Sequence, residues 1–179
     1  MQDFSGAVVY LSELIQKDTA HEMQLKSSLG RLFLQFGDIA SAQRYFAMAT
    51  ELCDQASDVD RADVLADAGL LAIGQNNYSQ ALKCFQDALT IQPENYMLVN
   101  NVAVCLVYLG RVKDALSLME TTVKQNTPQL LQENVILNLS TIYELENSDG
   151  SKKNTLLKLI SEYKGDGINL ASLKMPNLV

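Results

Sequence analysis

An all-α fold built from stacked antiparallel helix pairs is what this 179-residue sequence predicts, on three observations. Ala7, Ala42, Ala81 and Ala115 recur at intervals of 35, 39 and 34 residues, each followed four residues later by a large apolar side chain (Leu11, Phe46, Phe85, Met119). Twelve residues before the last three alanines another small residue recurs, as Gly30, Gly69 and Ala103. The chain holds only three prolines and nine glycines, which leaves long helices uninterrupted and does not favour a many-stranded sheet.

A period near 34 residues is that of the tetratricopeptide repeat, whose helix pairs stack into a right-handed superhelix. The small residues have a physical reason. Two antiparallel helices of one repeat cross where they meet, and a large side chain would force them apart. In the second helix of the best-formed copy, Ala81, Phe85 and Ala88 lie four and then three residues apart, and the aromatic ring fills the space against its neighbours.

About nine helices follow in order. The first, near 4–17, reads as the second half of a repeat. Three pairs come next, about 21–36 with 39–53, 61–74 with 78–91, and 95–109 with 112–125, then a weaker pair, about 129–146 with 151–163. The repeat domain spans 1–164, as a half repeat at 1–18, repeats at about 21–55, 61–94 and 95–127, and a degenerate repeat at 128–164. Pro93 and Pro128 mark helix starts, where a missing N–H is harmless. Asn147 to Gly150 is a turn. The 39-residue interval contains "CDQASDVDRAD", read as a loop or an extended helix end whose acids face solvent or form a contact patch. From residue 165 the periodicity is lost, and 165–179 reads as a tail.

Composition narrows the function. Apolar residues make up 47 %, and the net charge of −7, with a pI near 4.6, opposes nucleic acid and anionic membranes as primary partners. No apolar run reaches bilayer length, and the first residues lack the basic n-region and cleavage site of a signal peptide. Cys53, Cys84 and Cys105 are widely spaced with no CxxC pair, which suits reduced thiols rather than a disulfide or a metal site. His21 is the sole histidine, no nucleophile elbow accompanies it, and neither HExxH nor a phosphate-binding loop is present. No catalytic residue, cofactor site or metal site is predicted.

Helical repeats offer surfaces instead. The first helix of each pair lines the concave face, which makes Arg31, Gln35, Asn100, Asn101, Val104, Val107 and Tyr108 the candidate groove residues. Val104 and Val107 fit an ordinary core equally well. Ala7, Gly30, Ala42, Phe46, Gly69, Ala81, Phe85, Ala88, Ala103 and Ala115 are the candidate packing residues. Capture of a peptide's C-terminal carboxylate needs cations and amides at set positions of these helices. The repeat register puts Ser27, Arg31, Asp67, Met97 and Asn101 there. Only Arg31 and Asn101 suit the task, and Asp67 would repel a carboxylate.

The blocks "GQNNYSQA", "NNVAVCLVYLGRVKDAL", "NLSTIYELENS" and "GDGINLASLK", in that order and spacing, make the chain resemble the C-terminal repeat region of the family of trafficking protein particle (TRAPP) complex subunit 12. "LGRLFLQFGDIASAQRYF" fits both that family and the general repeat. The resemblance implies a non-catalytic scaffold in a complex that tethers vesicles and activates a Rab GTPase in ER-to-Golgi and Golgi traffic. Its partners would be other TRAPP subunits, and it would be cytoplasmic, reaching membranes through the complex without inserting. It also implies that a long N-terminal region precedes the repeats, with residues 1–18 as a half repeat whose apolar flank a preceding helix covers. Exposed repeat ends are then expected to allow self-association. The alternative is a free-standing peptide-binding adaptor of the co-chaperone type.

Overall fold

The computed structural model describes residues 4–55, 57–125 and 133–146, together with Asn154, Leu156 and Lys158. Among the described residues eight α-helices, two short 3-10 turns and no strand are present. They fall into two compact units, residues 1–94 and 95–179.

The first unit holds α1 (Phe4–Lys17), α2 (Glu22–Phe36), α3 (Ile39–Glu51), α4 (Asp58–Gly74) and α5 (Tyr78–Ile91). α2 packs on α3 and α4 on α5 as antiparallel pairs, and α2 and α3 both touch α4. The polar turns between the paired helices are built from caps. Gly37, at φ +79°, ends α2 in a left-handed conformation, and its N–H donates to the Leu34 carbonyl at 2.9 Å. One residue later the Asp38 carboxylate accepts from the Ser41 N–H and starts α3. Asn77 does the same for α5 with the Gln80 N–H.

Ala42, Phe46, Ala81, Phe85 and Ala88 are all buried. A Cβ placed on Gly30 would lie 2.6 Å from the Phe46 ring, and one on Gly69 would lie 2.7 Å from the Phe85 ring. Each aromatic ring thus packs directly against a helix that has no side chain at that point. α1 differs from the rest, since it has no fully buried residue and Ala7 is only half-buried. It rests on α2, with the Phe4 and Phe36 rings edge to face at 4.2 Å.

The second unit holds α6 (Tyr96–Tyr108), α7 (Val112–Gln125) and α8 (Glu133–Leu145). All three pack on one another. The Asn95 side chain caps α6 by accepting from the N–H groups of Met97 and Leu98. Ala103, Ala115 and Met119 are buried with Val135, Ile136, Leu139 and Ile142 of α8, and Leu156 is buried too. Here the position of Phe46 and Phe85 is taken by Met119, and that of the two glycines by Ala103. A flexible thioether in place of a planar ring leaves room for a methyl group.

Two helix starts are corrected. Of the two readings of the acidic insertion the extended helix end is the one seen: α4 begins at Asp58, not at 61, because Ser57 caps it and Asp58 and Asp60 fall in its first turn, where carboxylates favour the helix dipole. Pro93 does not open α6, since the helix is started by the Asn95 cap three residues into the turn. Pro128, the 147–150 turn, most of the last predicted helix and the 165–179 tail lie outside the described residues.

Candidate functional site

The candidate groove residues lie on the first helices of the pairs, and in each unit one of them, Arg31 or Asn100, is tied to the next first helix. In the first unit, Arg31 of α2 donates from Nε to Oδ1 of Asp67 on α4 at 2.6 Å, and the Ser27 hydroxyl donates to the other carboxylate oxygen. Asp67 is only 2 % exposed, whereas the Arg31 side chain is 43 % exposed. Burial pushes the Asp67 carboxyl above its ordinary value, against the opposing pull of the Arg31 charge and the Ser27 hydrogen bond. Two turns away from the Arg31–Asp67 pair, Gln24 Nε2 donates to Asp60 Oδ1 at 2.9 Å. Ser27, Arg31, Asp63 and Asp67 line a cleft of about 90 Å³ on this face.

In the second unit the Asn100 side chain is buried and accepts from Asn138 Nδ2 of α8 at 2.9 Å. Asn134 Nδ2 sits 3.6 Å from the Met97 sulfur. Asn101, Val104 and Val107 are half-buried, while Tyr108 is 64 % exposed. Gln35 is exposed on α2. Residues 1–94 carry six basic and thirteen acidic side chains, and residues 95–179 carry eight of each, so the charge excess belongs to the first unit.

This geometry alters the reading of three clamp positions. Ser27, Arg31 and Asp67 are partners of one another, and the Arg31 cation is engaged by Asp67 rather than offered alone to a ligand. Met97 and Asn101 bring no cation. The sequence reading took Asp67 as a repulsive group and passed over Asn138. A signal was present, because complementary polar residues sit 36 to 40 positions apart (Arg31 with Asp67, Ser27 with Asp67, Asn100 with Asn138), close to one repeat period.

The remaining chemistry is sparse. His21 is exposed, with Nδ1 2.9 Å from the Asp18 carboxylate. An open hollow of about 370 Å³ lies between the start of α7 and Leu145, but there Arg111 is already paired with Asp114 at 2.7 Å. Cys53, Cys84 and Cys105 form no disulfide. Among the described residues no group of three His, Cys, Asp or Glu is placed to hold a metal ion, and no helix is long and apolar enough to cross a membrane.

Antiparallel helix pairs, two of them with a glycine against an aromatic ring, define the tetratricopeptide-repeat fold. The tetratricopeptide repeat family matches residues 66–130. The fold is shared by a tetratricopeptide repeat protein from Parabacteroides merdae ATCC 43184, with a TM-score of 0.72 and 15 % identity over 96 % of this chain and 62 % of that one. In sequence the chain is similar to trafficking protein particle complex subunit 12. It is 38 % identical to that of Mus musculus over 177 residues, 98 % of this chain and 22 % of the relative. It is 37 % identical to that of Homo sapiens, over 98 % of this chain and 24 % of the relative. The chain therefore spans less than a quarter of the length of these relatives.

Proposed function

We propose that this chain acts as a non-catalytic scaffold within a TRAPP-type complex, holding other subunits through its helical-repeat surfaces and so serving vesicle tethering and Rab activation in ER-to-Golgi and Golgi traffic. In this reading it is cytoplasmic and meets membranes only through the complex. The observation that carries it is the 38 % identity to subunit 12 over 98 % of the chain. That likeness runs over nearly the whole chain, whereas the general repeat family matches residues 66–130. The polar face of the first unit supports a scaffold over a carboxylate-capturing adaptor, because its one well-placed cation, Arg31, is already paired.

The test is reconstitution. The tagged 179-residue chain is mixed with purified TRAPP subunits that lack subunit 12, and the mixture is resolved by size-exclusion chromatography. Co-elution with the subunits at moderate salt is the expected result. A chain that elutes alone, while full-length subunit 12 assembles under the same conditions, overturns docking by this region.

A further inference from the structure

The interval between corresponding small residues is 39 from Gly30 to Gly69 but 34 from Gly69 to Ala103, so the link between the first two helix pairs is the longer one. The added length falls between Ala49, the last buried residue of α3, and Ala62, the first of α4. Among the described residues none from 50 to 61 is buried, so this segment gives nothing to the core. It nevertheless carries large apolar side chains. Leu52, in the 3-10 turn Leu52–Gln55, is 42 % exposed, and Val59, in the first turn of α4, is 56 % exposed. Met48, four residues before Leu52 and about 6 Å along the same face of α3, is 37 % exposed.

α4 touches both α3 and the 3-10 turn, so the three side chains gather at the edge where α3 ends and α4 begins. Exposed apolar groups rimmed by polar ones mark an interaction surface. The rim here is acidic, since residues 51–63 hold five acids and one base. Glu51 adjoins Leu52 and is exposed. Asp58 and Asp60 flank Val59 in sequence. The base, Arg61, is already paired with Asp58 at 3.0 Å, while the Asp60 carboxylate is held by the neutral donors Ser57 and Gln24. Arg44, one turn before Met48 on α3, lies over the Tyr45 ring, 5.3 Å from its centroid.

We propose that this edge of the first unit docks a basic amphipathic helix of a protein partner, its aliphatic side chains on Met48, Leu52 and Val59 and its Lys or Arg side chains beside Glu51 and Asp60. Charge complementarity selects that occupant, because an acidic segment would meet like charge at each of these carboxylates. A second copy is the wrong partner for the same reason, since a two-fold contact sets the same acids against one another. Aliphatic groups one turn apart on the incoming helix match the spacing of Met48 and Leu52, and covering them removes apolar surface from water. The surface comes from the end of α3 and the added segment, and includes none of the candidate groove residues. The inference deepens the scaffold reading by naming the chemistry of one contact, and it rests on that reading for its biological setting.

The experiment uses the whole 179-residue chain and an alanine-based helical peptide of about 18 residues, with leucines at i, i+4 and i+7 flanked by lysines, one leucine being photoreactive. Controls are the same peptide with Glu for Lys and a shuffled peptide of the same composition. The lysine peptide is expected to cross-link within 44–63. It is expected to bind at least tenfold more weakly to a Leu52→Ser, Val59→Ser double variant and to Glu51→Lys. Asp114→Lys, the same charge change in the other unit, is expected to leave binding unchanged. Leu52, Val59 and Glu51 are exposed, so their substitution keeps the fold, which a thermal melt verifies. Equal binding of either control peptide, cross-links elsewhere, an equal loss with Asp114→Lys, or full binding by either the double variant or Glu51→Lys overturns the proposal. So does a homodimer that the double variant dissolves and the peptide cannot displace, since a second copy is then the occupant. No trafficking subunit is present, so this result is independent of the reconstitution. If the subunits co-elute equally with wild-type and double-variant chains, the scaffold stands and this edge is not its contact.

Discussion

The Asp67 carboxylate on α4 accepts a 2.6 Å bond from Nε of Arg31, 36 residues earlier on α2, so one buried acid and one half-exposed base join consecutive repeats. The pair is asymmetric in cost. Removing the base leaves a buried carboxylate without its counter-charge, whereas removing the acid leaves a cation that water reaches. Arg31→Met is expected to destabilise the chain by about 1–3 kcal/mol, less than for a fully buried pair because of the guanidinium's exposure. Asp67→Asn is expected to cost less, and adding it to Arg31→Met to recover most of the loss. Urea unfolding of the four proteins reads this directly.

The same carboxyl gives a pH dependence whose sign follows from its raised value. Its folded-state pKa lies above the ordinary 3.8, so the folded chain holds the proton more tightly than the unfolded one. The resulting stability is present below that ordinary value and is lost as pH rises through the raised folded value. Asp67→Asn should remove this component from the stability profile. A variant whose acid-side slope matches wild type contradicts the assignment.

Gly69 and Phe85 form a second testable pair. Alanine at Gly69 gains about 1 kcal/mol of helix propensity but sets a methyl 2.7 Å from the ring. Overpacking of this kind costs about 1–3 kcal/mol, so a net loss is expected. In a Phe85→Leu background the ring is gone, and Gly69→Ala should turn neutral or stabilising. The double-mutant coupling from thermal melts checks it.

Tyr143, buried on α8, is pushed up to about 12 by burial and by Glu120, whose charge and hydrogen bond both favour the neutral phenol. Stability from this group is therefore complete below pH 10 and lost between about pH 10 and 12. Tyr143→Phe should flatten the alkaline limb of the stability profile, followed by circular dichroism with the unfolded baseline titrated in parallel.

Asn95 makes two cap bonds at the start of α6. Asn95→Ala is expected to cost about 1 kcal/mol, and Asn95→Asp to be tolerated. Chemical denaturation distinguishes them, and equal losses for both would deny the cap its role.

The succession of helices, their pairing and the small-residue rhythm could be read from the sequence alone, because amphipathic period and cap chemistry act within a few residues and repeat at the interval of the fold. The same local rules explain the two helix starts that differ from the expectation. Ser57 is a good cap with acids behind it, which a first turn favours, and Asn95 rather than Pro93 supplies the cap of α6. What tertiary structure alone decided is which polar side chains face a ligand and which face one another. Arg31 reads as a free cation and Asp67 as a repulsive acid until two helices 36 residues apart are laid side by side. Likewise Asn100 reads as an open amide until Asn138 is placed on it, and Val104 and Val107 read as core or groove alike. Hydrogen bonds and burial at that separation depend on the angle between helices, and no periodicity within either helix encodes it.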